Sequence, residues 1–391
     1  MEVTVLKLDP LKVTQFVLKK QRLLAGFKAA GVVQAVRSVV GLQATDVTTP
    51  HLSLFARVKD FEKEHLDWEL YERKSLGRVE CMRSTLFIVP KEILPVVYQV
   101  YKGGLSEGFL RVWGISLQEY EELSHLILEA LKGRTLTATQ IKGLLPAHVQ
   151  RALSRRVGKN IVRLTNVNLV LILLLNQGIL LSMKGRGTWK PIGPNYYVRF
   201  ADWFPGVNLN EVSREEARIR LVKLYLQSYG PATEKDVGWW TGFSMKEVER
   251  LLASLENEMV EVEISGLDSS FVMLKSDFAE IEPFKLIRGP SVSLLPYEDS
   301  YVKGYRERER IVSQEIHGKV YLHGEAQPTI LVNGQILGTW RFKEHQGEVT
   351  IHLTLMEKVE KPIVNLVCRE ATAVGKFAYG KKVGLIHNLK A

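Results

Sequence analysis

Gly133-Arg-Thr-Leu-Thr-Ala-Thr-Gln-Ile-Lys-Gly-Leu-Leu-Pro146 opens on threonines suited to capping and closes on a proline, so it reads as a short helix with marked ends. A second helix is predicted over 149–157 and an apolar third over 161–177, stopped by Gly178 as a C-cap stops one. Ile179-Leu-Leu-Ser-Met183 and Tyr196-Tyr-Val-Arg-Phe200 are then two runs of strand formers, flanking the turn-rich Lys184-Gly-Arg-Gly-Thr-Trp-Lys190. Helices followed by a β-hairpin is the order of a winged-helix module. On this reading the wing tip carries Lys184, Arg186 and Lys190, with Trp189 between them.

The same order recurs downstream. Residues 215–229 read as an amphipathic helix, Thr233 caps a second with Asp236 three residues on, and Ser244-Met-Lys-Glu247 is a capping box opening a third. Strands are predicted at 260–264 and 271–274, around Ser265-Gly266. The candidate recognition helix here carries Glu247, Glu249 and Glu256 against Lys246 and Arg250, and phosphate repels such a helix. This module is therefore expected to join domains. The first hundred residues are mainly helical by pattern, over 11–27, 32–42 and 52–58, with a strand at 85–89. Beyond about residue 290 short strands are predicted at 291–295, 319–322, 329–332, 335–341, 348–355 and 363–367, with Asn333-Gly334 as the strongest hairpin signal. The expected architecture is α+β: an N-terminal helical or winged-helix domain over 1–130, winged helices over 131–208 and 209–288, and a C-terminal β-rich domain over 289–391.

The chain of 391 residues is 46% hydrophobic and 25% charged, the composition of a folded protein of several domains. Its net charge of +10 is unevenly spread. From Ala130 to Ala201 run 72 residues without a carboxylate and with twelve Lys and Arg, so the rest of the chain sums to −2. Mixed signs are normal on a solvated surface, and a polyanion explains their absence directly. Double-stranded DNA is the expected partner. Pairing of these cations with acids elsewhere in the fold is the alternative, and an anionic membrane or acidic protein a lesser one. Lys184, Arg186, Trp189 and Lys190 on the wing, and Arg151, Arg155, Arg156 and Lys159 before it, are the candidate DNA contacts. The longest apolar run, 169–175, is far short of the ~20 residues a membrane span needs. The N-terminal MEVTVLKLDP lacks the layout of a secretory signal. Cys81 and Cys368 are too few for a disulfide framework or a four-cysteine zinc site, and point to two buried thiols in the cytoplasm. Nine histidines without HExxH spacing, and no nucleotide-binding fingerprint, lead us to expect no metal and no cofactor.

Several phrases occur in one order along nearly the whole chain: Val40-Gly-Leu-Gln-Ala-Thr-Asp46, Met82-Arg-Ser-Thr-Leu86, Gly187-Thr-Trp189, and Gly230-Pro-Ala-Thr233 with Trp240-Thr-Gly242. Leu294-Leu-Pro-Tyr-Glu-Asp299 then leads to Gly304 and Arg308, followed by Pro328-Thr-Ile-Leu-Val-Asn-Gly334 and Gly338-Thr-Trp340. Together they resemble the AlkZ and YcaQ type of DNA glycosylase. The resemblance implies three winged-helix units making a concave basic channel, closed off by the β domain. It also implies a monomeric, monofunctional enzyme that removes alkylated purines, including bulky and crosslinked adducts. Such relatives hold the attacking water with a Gln-x-Gln or Gln-x-Asp pair. The first position falls on Gln43 and the second on Thr45, which is neither, with Asp46 one residue further on.

An N-alkylated purine is cationic and leaves readily, so a protein needs only to stabilise an oxocarbenium-like sugar and place one water. Gln43 can hold that water but cannot deprotonate it. Asp46 can act as base and as electrostatic partner of the sugar, and Thr45 can orient a water. On a continuing helix Gln43 and Asp46 share a face at i, i+3; off it, the spacing says nothing. Either Thr45 or Asp46 can equally cap a helix near Pro50. Trp189 either wedges or stacks on a base, or pins its own hairpin. Trp239 and Trp240 read as packing, and Asp299 with Arg308 as an internal ion pair. A winged-helix DNA-binding protein without enzymatic activity, a regulator or a lesion-recognition factor, is the alternative to the glycosylase.

Overall fold

The structure is a computed structural model that describes residues 6–187, 193–345, 348–380 and 384–389. One topological unit occurs three times in it. In the basic segment, helix Leu117–Ala130 is followed by strand Leu136–Thr137, helices Ala138–Leu144 and Asn166–Asn176, and strands Leu180–Met183 and Tyr196–Arg199. The three strands form a sheet with the last one central. Upstream, Val32–Arg37, Leu42–Gln43, Thr48–Arg57, Lys63–Asp67, Leu76–Glu80 and Leu86–Pro90 repeat this order, again with the last strand central. Downstream, helices Arg214–Tyr229, Glu234–Thr241 and Met245–Ala253 precede strands Met259–Ile264 and Ser270–Leu274, and the first strand is reduced to a bridge between Ala232 and Val272. All three are winged helices. Local chemistry fixes their helix ends: Thr137 with Gln140, and Thr233 with Asp236, form reciprocal capping boxes, and Gly242 closes its helix at φ 77°.

Residues 149–157 are not the expected helix. Ala152–Val157 pairs with Asn160–Thr165 in a β-hairpin, Val157 opposite Asn160, across the two-residue turn Gly158-Lys159. Gly158 has φ 60°, and a glycine leading a two-residue loop is a hairpin signal that the apolar spacing obscured. The apolar helix consequently starts at Asn166, capped by Thr165, because the β-branched Ile161 and Val162 belong to the hairpin. The hairpin replaces the turn between the module's second and third helices. The third helix buries Val167, Leu169, Val170, Leu171, Leu173 and Leu174. Its core also takes Leu110 from helix Glu107–Val112 and Tyr120, Leu123 and Ile127 from Leu117–Ala130.

The first two N-terminal helices are shorter than their patterns, at Pro10–Lys20 and Val32–Arg37, whereas the third starts earlier and runs over Thr48–Arg57. The C-terminal domain is a five-stranded sheet in the order Val292–Leu295, Thr329–Val332, Gln335–His345, Glu348–Leu355, Gly384–Leu389. Asn333 and Gly334, at φ 50° and 83°, make its two-residue turn. The strand expected at 319–322 is shortened to Tyr321–Leu322 after helix Gln314–Val320, and the one expected at 363–367 is replaced by helix Lys361–Tyr379. In the second of these Val367, Ala371, Val374 and Ala378 recur at helical spacing between Pro362 in the first turn and Gly380 as C-cap. That helix covers Trp340, Ile351 and Leu353 of the sheet. Among the described residues no helix is long and apolar enough to cross a membrane. Cys81 is buried as expected, whereas Cys368 is only half-buried.

Asp299 does not pair with Arg308. Its carboxylate, fully buried, accepts from Arg57 Nη1 and Nη2 at 2.8 and 2.7 Å, from Ser53 Oγ at 2.6 Å and from the Tyr301 amide at 2.9 Å. Arg308 turns instead to the Tyr305 carbonyl and the ring of Tyr321. The fork-shaped Arg57 pair fastens helix Thr48–Arg57 to a segment 242 residues away. Asp299→Ala would strand the Arg57 charge in the interior, so chemical denaturation followed by circular dichroism should show a loss of about 3–5 kcal/mol. An unchanged midpoint would mean that the pair does not fasten the two segments.

Candidate functional site

Gln43 lies on strand Leu42–Gln43, opposite Phe87, and is buried. The helix before it ends at Arg37, so the shared-face reading of Gln43 and Asp46 does not apply. Gly41 admits the neighbouring strand: a Cβ there would lie 2.9 Å from Val89 Cγ1 and 3.1 Å from the Ile88 carbonyl. After Gln43 the chain turns sharply. The Thr45 amide donates to Gln43 Oε1 at 2.8 Å, which fixes the side-chain amide, while Thr45 itself is exposed. Asp46 Oδ1 accepts from the Thr48 amide at 2.7 Å and from the Thr48 hydroxyl. Asp46 Oδ1 thus closes a local turn just ahead of helix Thr48–Arg57, whose N-cap is Val47 without a side-chain cap bond.

The C-terminal segment closes over this turn. Thr49 Oγ1 donates to the Tyr297 carbonyl at 2.9 Å, and Ser300 Oγ to the Gly41 carbonyl at 3.1 Å. Burial and a hydrogen bond to Glu325 push the Tyr297 phenol above its usual range, with Glu298 and Asp46 adding to the effect. The Tyr297 phenol, hydrogen-bonded to Glu325, thus belongs to a residue whose carbonyl is held by Thr49 just after the Gln43 turn. Tyr297 belongs to a phrase singled out in the sequence, but nothing in the sequence marked Glu325.

Backbone strain gathers here too. Val40, Arg83, Ser84, Glu298 and His323 are five of the nine non-glycine residues with positive φ among the described residues. Each such residue costs about 1–3 kcal/mol, and for a β-branched residue such as Val40 the conformation is rare. Arg83 and Ser84 form the wing of the first module, next to the strand that pairs with Gln43. Glu298 binds Ala326, just past the His323 turn, through its amide and Oε1. Strain of this kind persists where a site requires it.

The candidate DNA contacts divide into three groups. Arg151 is spent on structure: it holds Glu119 with Nε and Nη2 at 2.9 and 2.8 Å and also reaches the Gly114 carbonyl. The wing docks on the first module, with Arg186 paired to Glu72, the Gly187 amide on Asp67 at 2.8 Å, and Tyr71 on the Lys184 carbonyl at 2.8 Å. Lys184 Nζ donates to the Gly193 carbonyl at 3.1 Å, and burial with nearby Arg78 lowers its basicity. Trp189 and Lys190 lie outside the described residues. Arg155, Arg156 and Lys159 are exposed on the hairpin, joined by Arg163, which sequence reasoning did not single out. The basic hairpin is thus an open cationic surface of this module. No group of three potential metal ligands occurs among the described residues.

Three winged helices, a β domain clamped to the first of them, and a strained glutamine turn define a nucleic-acid-facing protein of the tandem winged-helix class. The family model described as DNA glycosylase AlkZ-like matches residues 36–377, and the chain belongs to that family, whose members act on DNA. It is similar to the interstrand DNA cross-link repair glycosylase of Streptomyces sahachiroi, with 24% identity over 325 residues, 81% of this chain and 83% of that protein. The solved structure of Streptomyces sahachiroi DNA glycosylase AlkZ has the same fold, with a TM-score of 0.74 at 19% identity, covering 98% of this chain and 100% of that one.

The three cation groups respond differently to mutation. Replacing Arg155, Arg156 and Lys159 by Gln should flatten the salt dependence of DNA binding by roughly 0.9 in slope per lost phosphate contact, measured by fluorescence anisotropy across ionic strengths. Arg151→Gln should lower the melting temperature and leave that slope alone. The reverse pattern would place DNA on another face.

Proposed function

We propose that this protein hydrolyses the N-glycosidic bond of alkylated purines in double-stranded DNA, with Gln43 positioning the water. The observation that carries this reading is the Gln43 turn, its amide oriented by the Thr45 N–H and its backbone framed by strained residues from the first module and the C-terminal segment. An amide oxygen accepts two hydrogen bonds, so Gln43 Oε1 keeps one lone pair for a water. Asp46 uses Oδ1 on Thr48, and no hydrogen bond among the described residues reaches its Oδ2. That oxygen supplies a base for the same water. Asp46 supplies negative charge where the sugar turns cationic, and a fixed charge aimed at a developing charge stabilises the transition state. The hairpin cations hold the duplex.

A second reading, DNA binding without hydrolysis, is favoured by Thr45, which carries no carboxylate or amide at the second motif position. Base release from a duplex bearing one N7-methylguanine, read as an alkali-labile nick, separates the two. On the hydrolytic reading Gln43→Ala abolishes release and leaves DNA affinity intact. Asp46→Asn keeps an acceptor for Thr48 but removes the base, and release should fall by roughly 10²–10⁴-fold. Undiminished release in Asp46→Asn would confine Asp46 to the turn. Tight binding with no release from methylated or crosslinked duplexes would establish the second reading.

A further inference from the structure

The hydrolytic reading makes no use of a group of cations on the other side of Glu298. At its centre is Trp239, half-buried on helix Glu234–Thr241 of the third module. Arg83 stands 4.7 Å from its ring centroid, Arg308 5.3 Å, Lys303 5.4 Å and Arg306 5.7 Å. They come from two places far apart in the chain: the strained wing of the first module and the stretch that follows Asp299. Cation–π attraction to one indole does not offset the mutual repulsion of four charges.

The nearby carboxylates are largely committed. Glu298 pairs with Lys303 at 3.1 Å and also accepts from the Ala326 amide. Asp236 is taken by the backbone amides of Arg306 and Glu307 through Oδ1 and of Thr233 through Oδ2. Glu307 pairs with Lys235 and Ser269. Four cations therefore share one carboxylate. Burial lowers the basicity of Arg83, Lys303 and Arg308, and each is lowered further by a like charge of the group.

The donors point the same way. Arg308 is 6% exposed, and its Nη2 is buried without an acceptor; so are Arg83 Nε and Trp239 Nε1. Interiors rarely leave a donor unpaired, and three at one indole, all N–H, lack an acceptor in common. An anion with several oxygens suits a cluster with this surplus of donors, guanidinium forks match phosphate in geometry, and the exposed Arg306 gives it access. Arg306 and Ser84, both exposed, mark the open side of the group.

We propose that Arg83, Lys303, Arg306 and Arg308, arranged around Trp239, bind a phosphate group, that of the DNA backbone beside the nucleotide whose sugar faces Gln43. Arg83 is three residues from Leu86, whose carbonyl accepts the Ala44 amide at 2.7 Å, which puts the two backbones within roughly 10 Å at strand rise. The placement beside Gln43 rests on the hydrolytic reading; the anion site does not. The third module then meets DNA through Trp239 and its borrowed arginines, not through its acidic third helix.

The test is a binding measurement on the full chain that needs no turnover. Duplexes carrying an abasic-site analogue, to set the register, receive one neutral methylphosphonate linkage at successive positions. One position near the analogue should weaken wild-type binding roughly tenfold, the value of one charge-assisted contact, and have no effect in Arg83→Gln/Arg306→Gln. The same variant should lower the salt slope by roughly 0.9, whereas Lys285→Gln/Arg288→Gln, an equal loss of charge elsewhere, should change it less. Melting and circular dichroism check that the variant is folded, and Arg306→Gln alone, at an exposed position, repeats the test if the pair is not. A flat scan with a lowered slope keeps the phosphate site on DNA and removes it from the vicinity of Gln43. If both are unchanged, the DNA assignment is overturned. Inorganic phosphate that then raises the melting temperature of wild type alone, at constant ionic strength, marks a site for a free phosphate compound, and no rise disposes of the site altogether. Absent base release would sink the hydrolytic reading and leave the salt-slope result standing.

Discussion

The Arg57–Asp299 pair is the constraint on which the site depends. Two charges removed from water hold only if each is almost fully satisfied, and Asp299 accepts four hydrogen bonds at 2.9 Å or less. A greasy contact would tolerate sliding by an ångström. A bidentate fork with a serine and an amide filling the remaining lone pairs fixes both distance and angle. Once helix Thr48–Arg57 and Asp299 are locked, the contacts of Thr49 with Tyr297 and of Gly41 with Ser300 follow over short lengths of chain. The Gln43 turn is thus assembled from opposite ends of the sequence.

What could be read beforehand follows the range of the interactions involved. Capping boxes at Thr233 and the Asn333-Gly334 turn involve neighbours within three or four residues, and they appear where the sequence placed them. The hairpin at Ala152–Val157 was hidden because Leu153, Val157 and Ile161 also fit helical spacing, and one glycine decided the matter. Residues 363–367 are apolar enough for a strand, and only the later Ala371, Val374 and Ala378 show the helix. Gln43 was legible as a motif. Its environment was not, because Tyr297, Glu325 and the true partner of Asp299 are set by contacts across more than two hundred residues. Asp299 and Arg308 sit in one phrase, and proximity in sequence suggested a pair that tertiary packing undid.

The charge pattern was informative in total and misleading in detail. Summed over the basic segment it points to a polyanion, in keeping with a family that acts on DNA. Taken singly, Arg151, Arg186 and Arg199 pair with acids that lie outside the segment or at its edge, namely Glu119, Glu72 and Asp202. The hairpin keeps its cations in water, where long-range attraction to phosphate is undiminished by a bound partner.

The hairpin that interrupts the basic module has one more consequence. In a helix-turn-helix the last helix lies in the major groove and presents polar side chains to base edges. Here that helix, Asn166–Asn176, is almost wholly apolar and sunk in its own core, and the hairpin stands between it and the helix before it. Among the described residues of the module, this last helix offers base edges no polar face. Arginines and lysines on a ribbon feel phosphate spacing and groove width, which vary far less from site to site than base identity does. Such a surface follows the sugar-phosphate frame more closely than the bases it carries.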